Sequence, residues 1–168
     1  MSGKILVADN SKAYIGHIER RYEGLTIGMQ SFAAARYFVI SSRNSLGLIV
    51  TDLASNSKGD IDINRWLEGV RGGNTYIPII ARTSLNYESS IAIAQQYGLD
   101  ALFKRRDPSE ELYICIDELL RNPEAYRGNI LNKFPLHQDS IPDFDQRQIK
   151  RRQRRKWRHR KHNAFSRK

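Results

Sequence analysis

Hydrophobic and polar positions alternate between two patterns along the first 122 residues. Short, continuous apolar runs, such as KILVAD (4–9) and LGLIVTD (46–52), are typical of strands that are covered on both faces. Between such runs, apolar residues recur at i, i+3 and i+4 or i+7, the spacing of a helix with one buried face. The pattern therefore predicts strands and helices in alternation, beginning with a strand.

Five strand–helix repeats follow one another in this pattern. The predicted strands are 4–9, 25–30, 46–52, 76–83 and 99–103. The first predicted helix is capped by Ser11 and has Ile15, Ile18 and Tyr22 on its face, and the second covers 31–42. The third has Ile63, Trp66, Leu67 and Val70 on its face and is closed by Gly72 and Gly73, and the fourth covers 86–97 and ends at Gly98. Pro108 opens the fifth helix, which has Leu112, Cys115, Ile116 and Leu119 on its face.

Such alternation predicts an α/β fold with a doubly wound, parallel, five-stranded sheet and right-handed crossovers. Ligands of these folds bind beyond the carboxyl ends of the strands, where the strand order reverses. Asp9 and Asp52 each stand at the carboxyl end of a predicted strand. Asp52 is therefore either a site residue or an acid that caps a turn, and nearby Tyr14 is interpreted as a surface or edge residue of the first helix.

Charge separates the chain into a nearly neutral body and a basic tail. The 168 residues carry 28 Lys and Arg against 18 Asp and Glu, a formal net charge of +10. All 18 acids precede residue 146, whereas residues 146–168 hold 12 of the cations, so the body is near −2 and the tail is +12. We divide the chain into a domain over 1–122, a linker rich in Pro, Asn and Gly over 123–145, and an arginine-rich tail over 146–168.

Cysteine content and hydropathy indicate a compartment. Cys115 is the one cysteine, which excludes an intrachain disulfide and is typical of a reducing environment. The first ten residues lack the features of a signal peptide, and the longest apolar runs are far too short to span a bilayer. We expect a cytoplasmic protein that makes no use of a membrane.

Four motifs follow one another along the chain, each at or near a predicted strand: KILVADNS (4–11), LIVTDL (48–53), IPIIARTS (77–84) and AQQYGLDALFKR (94–105). Over residues 4–122 this series resembles the receiver domain of two-component response regulators, which has a flavodoxin-like fold. The resemblance implies an aspartate that accepts a phosphoryl group, with Mg²⁺ to neutralise the transferred oxygens. The implied residues are Asp52 as phosphoacceptor; Asp9, Asn10, Asp52 and the backbone carbonyl of Ala54 for Mg²⁺; Thr83 for the phosphoryl group; and Lys104 or Arg105 as the cation.

The sequence also departs from the family pattern. Asn10 replaces the second acid of the family's pair, so Mg²⁺ should bind more weakly. Counting from Gly98 places the lysine position on Arg105, whereas a one-residue deletion would place it on Lys104. The family's aromatic position falls on Leu102 or Ala101, and the proline that follows the family's lysine is absent. Both a working phosphoacceptor site and a degenerate one stay open.

The tail segment IKRRQRRKWRHRKH (149–162) has the composition of an arginine-rich nucleic-acid-binding segment. Alternatives are a solubilising tail, a nonspecific polycation or an anionic-membrane contact, the last disfavoured because no apolar face accompanies the charge. We expect contacts with nucleic acid, RNA rather than DNA. The predicted contact residues are Lys150, Arg151, Arg152, Arg154, Arg155, Lys156, Trp157, Arg158, Arg160 and Lys161.

These features lead to two hypotheses. The first is a stand-alone regulator that resembles response regulators, with Asp52 as a phosphoacceptor, a basic tail on nucleic acid, and a histidine kinase or another protein as partner. The second is a degenerate receiver that serves as a phosphorylation-independent binding module in a ribonucleoprotein or other nucleic-acid assembly. No glycine-rich phosphate loop, Cys–His pair or nucleophile elbow is present, so we do not expect an enzyme. A flavodoxin-like enzyme would need a cofactor loop that the sequence lacks.

Overall fold

Six parallel strands form one sheet in the structure, a computed structural model that describes residues 3–54, 60–105 and 110–132. The strands are β1 (Lys4–Ala8), β2 (Thr26–Met29), β3 (Leu46–Asp52), β4 (Ile79–Thr83), β5 (Ala101–Lys104) and β6 (Leu131–Asn132). The helices are α1 (Lys12–Arg21), α2 (Phe32–Ser42), α3 (Ile63–Arg71), α4 (Tyr87–Tyr97) and α5 (Glu110–Arg121), with a 3₁₀ turn over Arg43–Ser45.

The strand order is β2-β1-β3-β4-β5-β6, which confirms the predicted doubly wound α/β sheet. From β1 the chain moves outward to β2, and then crosses to the other side of β1 to place β3, β4 and β5 in succession. The order therefore reverses between β1 and β3, and this position is where such sheets form a crevice at their carboxyl ends.

Successive side chains of a strand point to opposite faces of the sheet and contribute to a core on each face. Ile5 and Val7 of β1 pack in the core formed with α1 and α5, whereas Leu6 and Ala8 pack in the core formed with α2, α3 and α4. Burial on both faces explains why the strands read as continuous apolar runs in the sequence.

Predicted helix ends agree with the observed caps. The Ser11 side chain accepts the Tyr14 N–H at the start of α1, and Asn86 caps α4 in the same manner. Gly98 ends α4 in the left-handed region, with φ of 59°. Pro78 precedes β4, and its carbonyl accepts the Ile49 N–H, so the proline costs no ladder donor.

A sixth strand extends the predicted five. β6 belongs to the stretch that the sequence assigns to a linker, and it pairs with β5 at the sheet edge. Ala125, Tyr126 and Leu131 pack against the core of α1 and α5, so the chain continues along the domain after α5. Pro108, Lys133 and everything after it lie outside the described residues, and the boundaries at 122 and 145 stay predictions.

Among the helices of the described residues, none has both the length and the apolar character needed to cross a bilayer.

Candidate functional site

The carboxyl ends of the central strands gather most of the predicted site residues. Asp9 follows β1, Asp52 ends β3 and Thr83 ends β4. The ladder places Asp52 beside Arg82 on β4. Because these strands are neighbours and parallel, their final side chains share one edge of the sheet.

Alternation also brings three charged residues to one face of that edge. Asp9, Asp52 and Arg82 continue the series of Val7, Val50 and Ile80, which pack toward α1 and α5. Residues two apart on a strand share a face, so these carboxylates and this guanidinium point to the same side.

A buried ion pair spans the site. The Arg82 Nη2 donates to the Asp9 Oδ2 at 2.9 Å, and the two side chains are 5% and 1% exposed. The other Asp9 oxygen, Oδ1, accepts the Ser11 N–H at 2.7 Å. Since β3 lies between β1 and β4, the Arg82 side chain must cross the end of β3, a span of about two strand spacings or roughly 9–10 Å.

Tyr14 covers the crossing arginine. The Arg82 guanidinium carbon lies 3.1 Å from the centroid of the Tyr14 ring, a cation–π contact. Tyr14 is 7% exposed, so its interpretation as a surface or edge residue is wrong. Burial raises the pKa of its hydroxyl well above the ordinary range, against the lowering effect of Arg82. The tyrosine is therefore a neutral lid over the ion pair.

Asp52 is fully buried at the centre of the edge. Its Oδ1 accepts the Ala54 N–H at 2.9 Å, and its Oδ2 lies 3.4 Å from the Arg105 Nε. Burial raises the pKa of Asp52; the Ala54 N–H and the two arginines lower it, and the Asp9 charge raises it further. Burial outweighs the arginines, so ionised Asp52 is disfavoured relative to the same carboxyl in water.

Arg105 connects the outer part of the site. Besides its ion pair with Asp52, its Nη2 donates to the Asn10 Oδ1 at 3.1 Å. Its backbone carbonyl accepts the Arg82 Nη1 at 3.2 Å, and its N–H donates to the Thr83 carbonyl at 2.9 Å. Arg82 therefore supports the loop segment that carries Arg105.

The two candidate cations take different positions. Arg105, which follows β5, makes an ion pair with Asp52. Lys104 pairs in the ladder with Thr83, and by alternation both belong to the face of Ala81 and Leu102, which pack toward α2, α3 and α4. Of the two candidates, Arg105 therefore forms an ion pair with Asp52.

Thr83 and the position of the family's aromatic residue are buried in the sheet. The Thr83 hydroxyl accepts the Leu85 N–H at 2.9 Å, which organises the turn after β4. Leu102 and Ala101 are both fully buried, in opposite cores. Neither residue offers a side chain that could move between exposed and buried positions as an aromatic ring would.

Mg²⁺ does not fit this arrangement of residues. The ion requires hard oxygen ligands in near-octahedral geometry, usually with one or two free carboxylates. Here both Asp9 oxygens accept hydrogen bonds, from Ser11 and Arg82, and the Asn10 amide oxygen accepts one from Arg105. The Asp52 Oδ1 accepts the Ala54 N–H, whereas its buried Oδ2 has no hydrogen-bond partner among the described residues and faces the Arg105 Nε in the ion pair at 3.4 Å. Two carboxylates face two guanidiniums, so these four side chains are formally neutral and offer little net attraction for a cation. Across 3–54, 60–105 and 110–132, no group of three or more His, Cys, Asp or Glu could hold a metal ion.

Arg82 is the central residue that sequence reasoning missed. The signal was present, because an arginine inside the buried strand IIART must have an anionic partner to be stable there. The predicted Asp9 was the available acid on the same face. The ten predicted nucleic-acid contacts at 150–161 lie outside the described residues, so the structure adds nothing about them.

Comparisons with known proteins find the fold in solved structures alone. No protein-family model matches the chain. No curated protein sequence matches it significantly.

Receiver domains are among the solved structures that resemble this chain. The receiver domain from Clostridium thermocellum has a TM-score of 0.61 at 17% identity, covering 73% of this chain and 97% of that one. The receiver domain from Methanospirillum hungatei, described as CheY-like, has a TM-score of 0.62 at 17% identity, covering 74% and 98%. The Francisella response regulator 1452 receiver domain has a TM-score of 0.60 at 25% identity, covering 72% and 98%. The described residues therefore have the receiver fold.

Proposed function

We propose that this chain, which has the fold of a response-regulator receiver domain, is a regulatory binding module that works without phosphoryl transfer and without Mg²⁺. The observation that carries the proposal is the neutral cluster at the carboxyl edge, in which Arg82 pairs with Asp9 and Arg105 pairs with Asp52. The second hypothesis from the sequence is thus the better supported one.

The chemistry of phosphoryl transfer explains why this cluster argues against a phosphoacceptor. The transferring oxygens carry developing charge that a divalent cation normally neutralises, and the acceptor carboxylate must be ionised and accessible. Asp52 is fully buried, its pKa is raised by burial, and its Oδ1 accepts the Ala54 N–H. Such a carboxyl is a poor nucleophile.

We propose further that the basic tail over 146–168 binds RNA. Each cation that neutralises a phosphate releases condensed counterions, which gives strong and salt-sensitive affinity. Arginine guanidiniums fork onto phosphates and stack on unpaired bases, and Trp157 among them could stack on a base. The receiver-fold body would then present a constant surface to a protein partner in the same assembly.

Three further expectations from the sequence concern the role, the location and the partner of the protein. A regulatory rather than an enzymatic role agrees with the receiver fold. A cytoplasmic location follows from the single cysteine and stays a prediction. A histidine kinase is a partner of the first hypothesis alone, and the proposal does not require one.

Treatment with a small phosphodonor tests the absence of phosphoryl transfer. Full-length wild type and Asp52→Asn would be incubated with acetyl phosphate and MgCl₂, and intact mass would be measured. We expect no phosphoryl adduct on either protein. An adduct on wild type that is missing from Asp52→Asn would restore the phosphoacceptor hypothesis.

Salt-dependent RNA binding tests the role of the tail. We expect deletion of 146–168 to abolish binding to single-stranded RNA, and Asp52→Asn to leave it unchanged. Replacing Arg151, Arg152, Arg154 and Arg155 by Gln should reduce the slope of log K against log salt by about 3, at about 0.7 per phosphate contact. The matched Lys replacements should keep most of the slope. Equal affinity after the deletion would refute the tail proposal.

A further inference from the structure

The buried guanidinium of Arg82 lies where the chemistry of the site would otherwise call for a cation. We propose that Arg82 is a built-in substitute for a divalent metal ion, and that it keeps closed a latent metal site formed by Asp9, residue 10 and Asp52. This inference rests on the proposed function, because it explains how a receiver-fold site becomes independent of Mg²⁺.

The position of Arg82 supports the substitution. Its side chain begins on β4, crosses the end of β3 and reaches the Asp9 carboxylate after β1. It therefore begins beside Asp52 in the ladder and brings its positive charge to Asp9. Its influence on Asp52 is also electrostatic, since the guanidinium is one of the charges that lower the pKa of that carboxyl.

The contacts of Arg82 indicate a fixed element rather than a passing side chain. Nη2 binds Asp9, Nη1 binds the carbonyl of Arg105, and the Tyr14 ring covers the guanidinium plane. A metal ion would have to displace this guanidinium.

Apart from Arg105, which is kept in every variant compared below, two features could each account for weak metal binding. One is Asn10, which supplies a neutral ligand where the family has an acid. The other is Arg82, which occupies Asp9 and cancels its charge. The first explanation predicts that an acid at position 10 is sufficient to create a site. The proposal predicts that it is insufficient while Arg82 is present.

Calorimetric titration with MgCl₂ and MnCl₂ distinguishes the two explanations. The full chain would be compared as wild type, Asn10→Asp, Arg82→Met, and the double variant Asn10→Asp with Arg82→Met. Met preserves most of the apolar stem of Arg82 and removes the charge. A triple variant that adds Asp9→Asn is the matched control, because it differs from the double variant in the central ligand alone.

We expect no saturable binding to wild type or to Asn10→Asp. The double variant should bind both ions saturably, with an affinity at least about tenfold above the upper limit set by the Asn10→Asp titration, since removal of a unit charge at contact distance is worth that much or more. Adding Asp9→Asn should abolish that gain. Mg²⁺ should also raise the melting temperature of the double variant and leave that of wild type unchanged.

Either of two results would overturn the inference. One is saturable Mg²⁺ binding by Asn10→Asp alone, which would show that Arg82 does not close the site. The other is a double variant that is folded by circular dichroism and binds neither ion. Should Arg82→Met fail to fold, the Asn10→Asp variant still decides, because Asn10 is an exposed residue whose replacement does not disturb the core. Binding by Asn10→Asp without a phosphoryl adduct on wild type would refute this inference and leave the proposed function standing.

Discussion

Breaking the ion pair between Arg82 and Asp9 should be among the most destabilising single changes in the domain. Arg82→Met leaves the Asp9 carboxylate 1% exposed with no cation at 2.9 Å. Removing one partner of a buried pair typically costs about 3–5 kcal/mol, because the remaining charge is stranded away from water. The cation–π contact with Tyr14 is lost too, although the Met stem keeps part of the apolar packing.

Urea unfolding followed by circular dichroism gives the free energy of unfolding of each variant. With a slope of about 2 kcal/mol per molar, a loss of 3–5 kcal/mol lowers the midpoint by about 2 M. A domain of this size has a total stability of about 5–15 kcal/mol, so the variant should fold but lose much of its margin.

Asp9→Asn and the double variant Asp9→Asn with Arg82→Met complete a double-mutant cycle. Because the double variant leaves no stranded charge, it should be more stable than the sum of the single losses predicts, by at least about 2 kcal/mol. The matched control is Arg21→Met, whose ion pair with Glu110 is solvent-exposed at 3.9 Å. We expect that control to cost at most about 1 kcal/mol. A loss below about 1 kcal/mol for Arg82→Met, with an additive cycle, would refute the buried pair.

Three further changes test other parts of the structure. Asp52→Asn should be more stable than wild type at pH 7, because burial raises the folded-state pKa of Asp52 above its ordinary 3.8 and disfavours its ionised form. Thermal unfolding measured against pH should show this advantage shrinking as pH falls through the raised pKa and vanishing below about 3.8. A difference in stability that does not depend on pH would contradict the assignment. Thr51→Val should lower the free energy of unfolding in urea by about 1–3 kcal/mol, because it leaves the buried Trp66 Nε1 without its acceptor at 3.0 Å. Thr51→Ser should keep most of that stability, whereas an equal loss in both variants would point to packing instead. Asp60→Asn should cost about 1 kcal/mol, since its carboxylate accepts the first two N–H groups of α2, and an unchanged urea midpoint would argue against that cap.

The fold could be predicted from the sequence for a definite physical reason. Strands buried on both faces must be apolar throughout, and helices with one buried face must repeat their apolar residues at helical spacing. Those two patterns alternate from Lys4 to Arg121, and the bounds of the strands and helices follow them closely. The short β6 was not predicted, because a strand of two residues, Leu131–Asn132, has too little length to show a pattern.

The residues of the site could be predicted from the sequence only in part. Asp9 and Asp52 were identified because strand ends in a parallel sheet meet at one edge, an outcome that the order of elements already implies. Arg82 was not assigned a role because its partner is two strands away in space and more than 70 residues away in sequence. Tyr14 was misinterpreted because nothing in its own helix signals that a guanidinium from β4 will lie on its ring.

By itself, then, the amino-acid sequence determined the alternation of elements, the sheet, the edge at which charged groups gather and the separation of the basic tail. All of these depend on local periodicity and composition, which the chain carries residue by residue. Only the tertiary structure decided that Arg105 forms an ion pair with Asp52 and that Arg82 forms one with Asp9. Those outcomes depend on which face a strand end presents and on how far a side chain reaches across a neighbouring strand. They turn a row of acids that could attract a metal ion into a neutral, closed cluster.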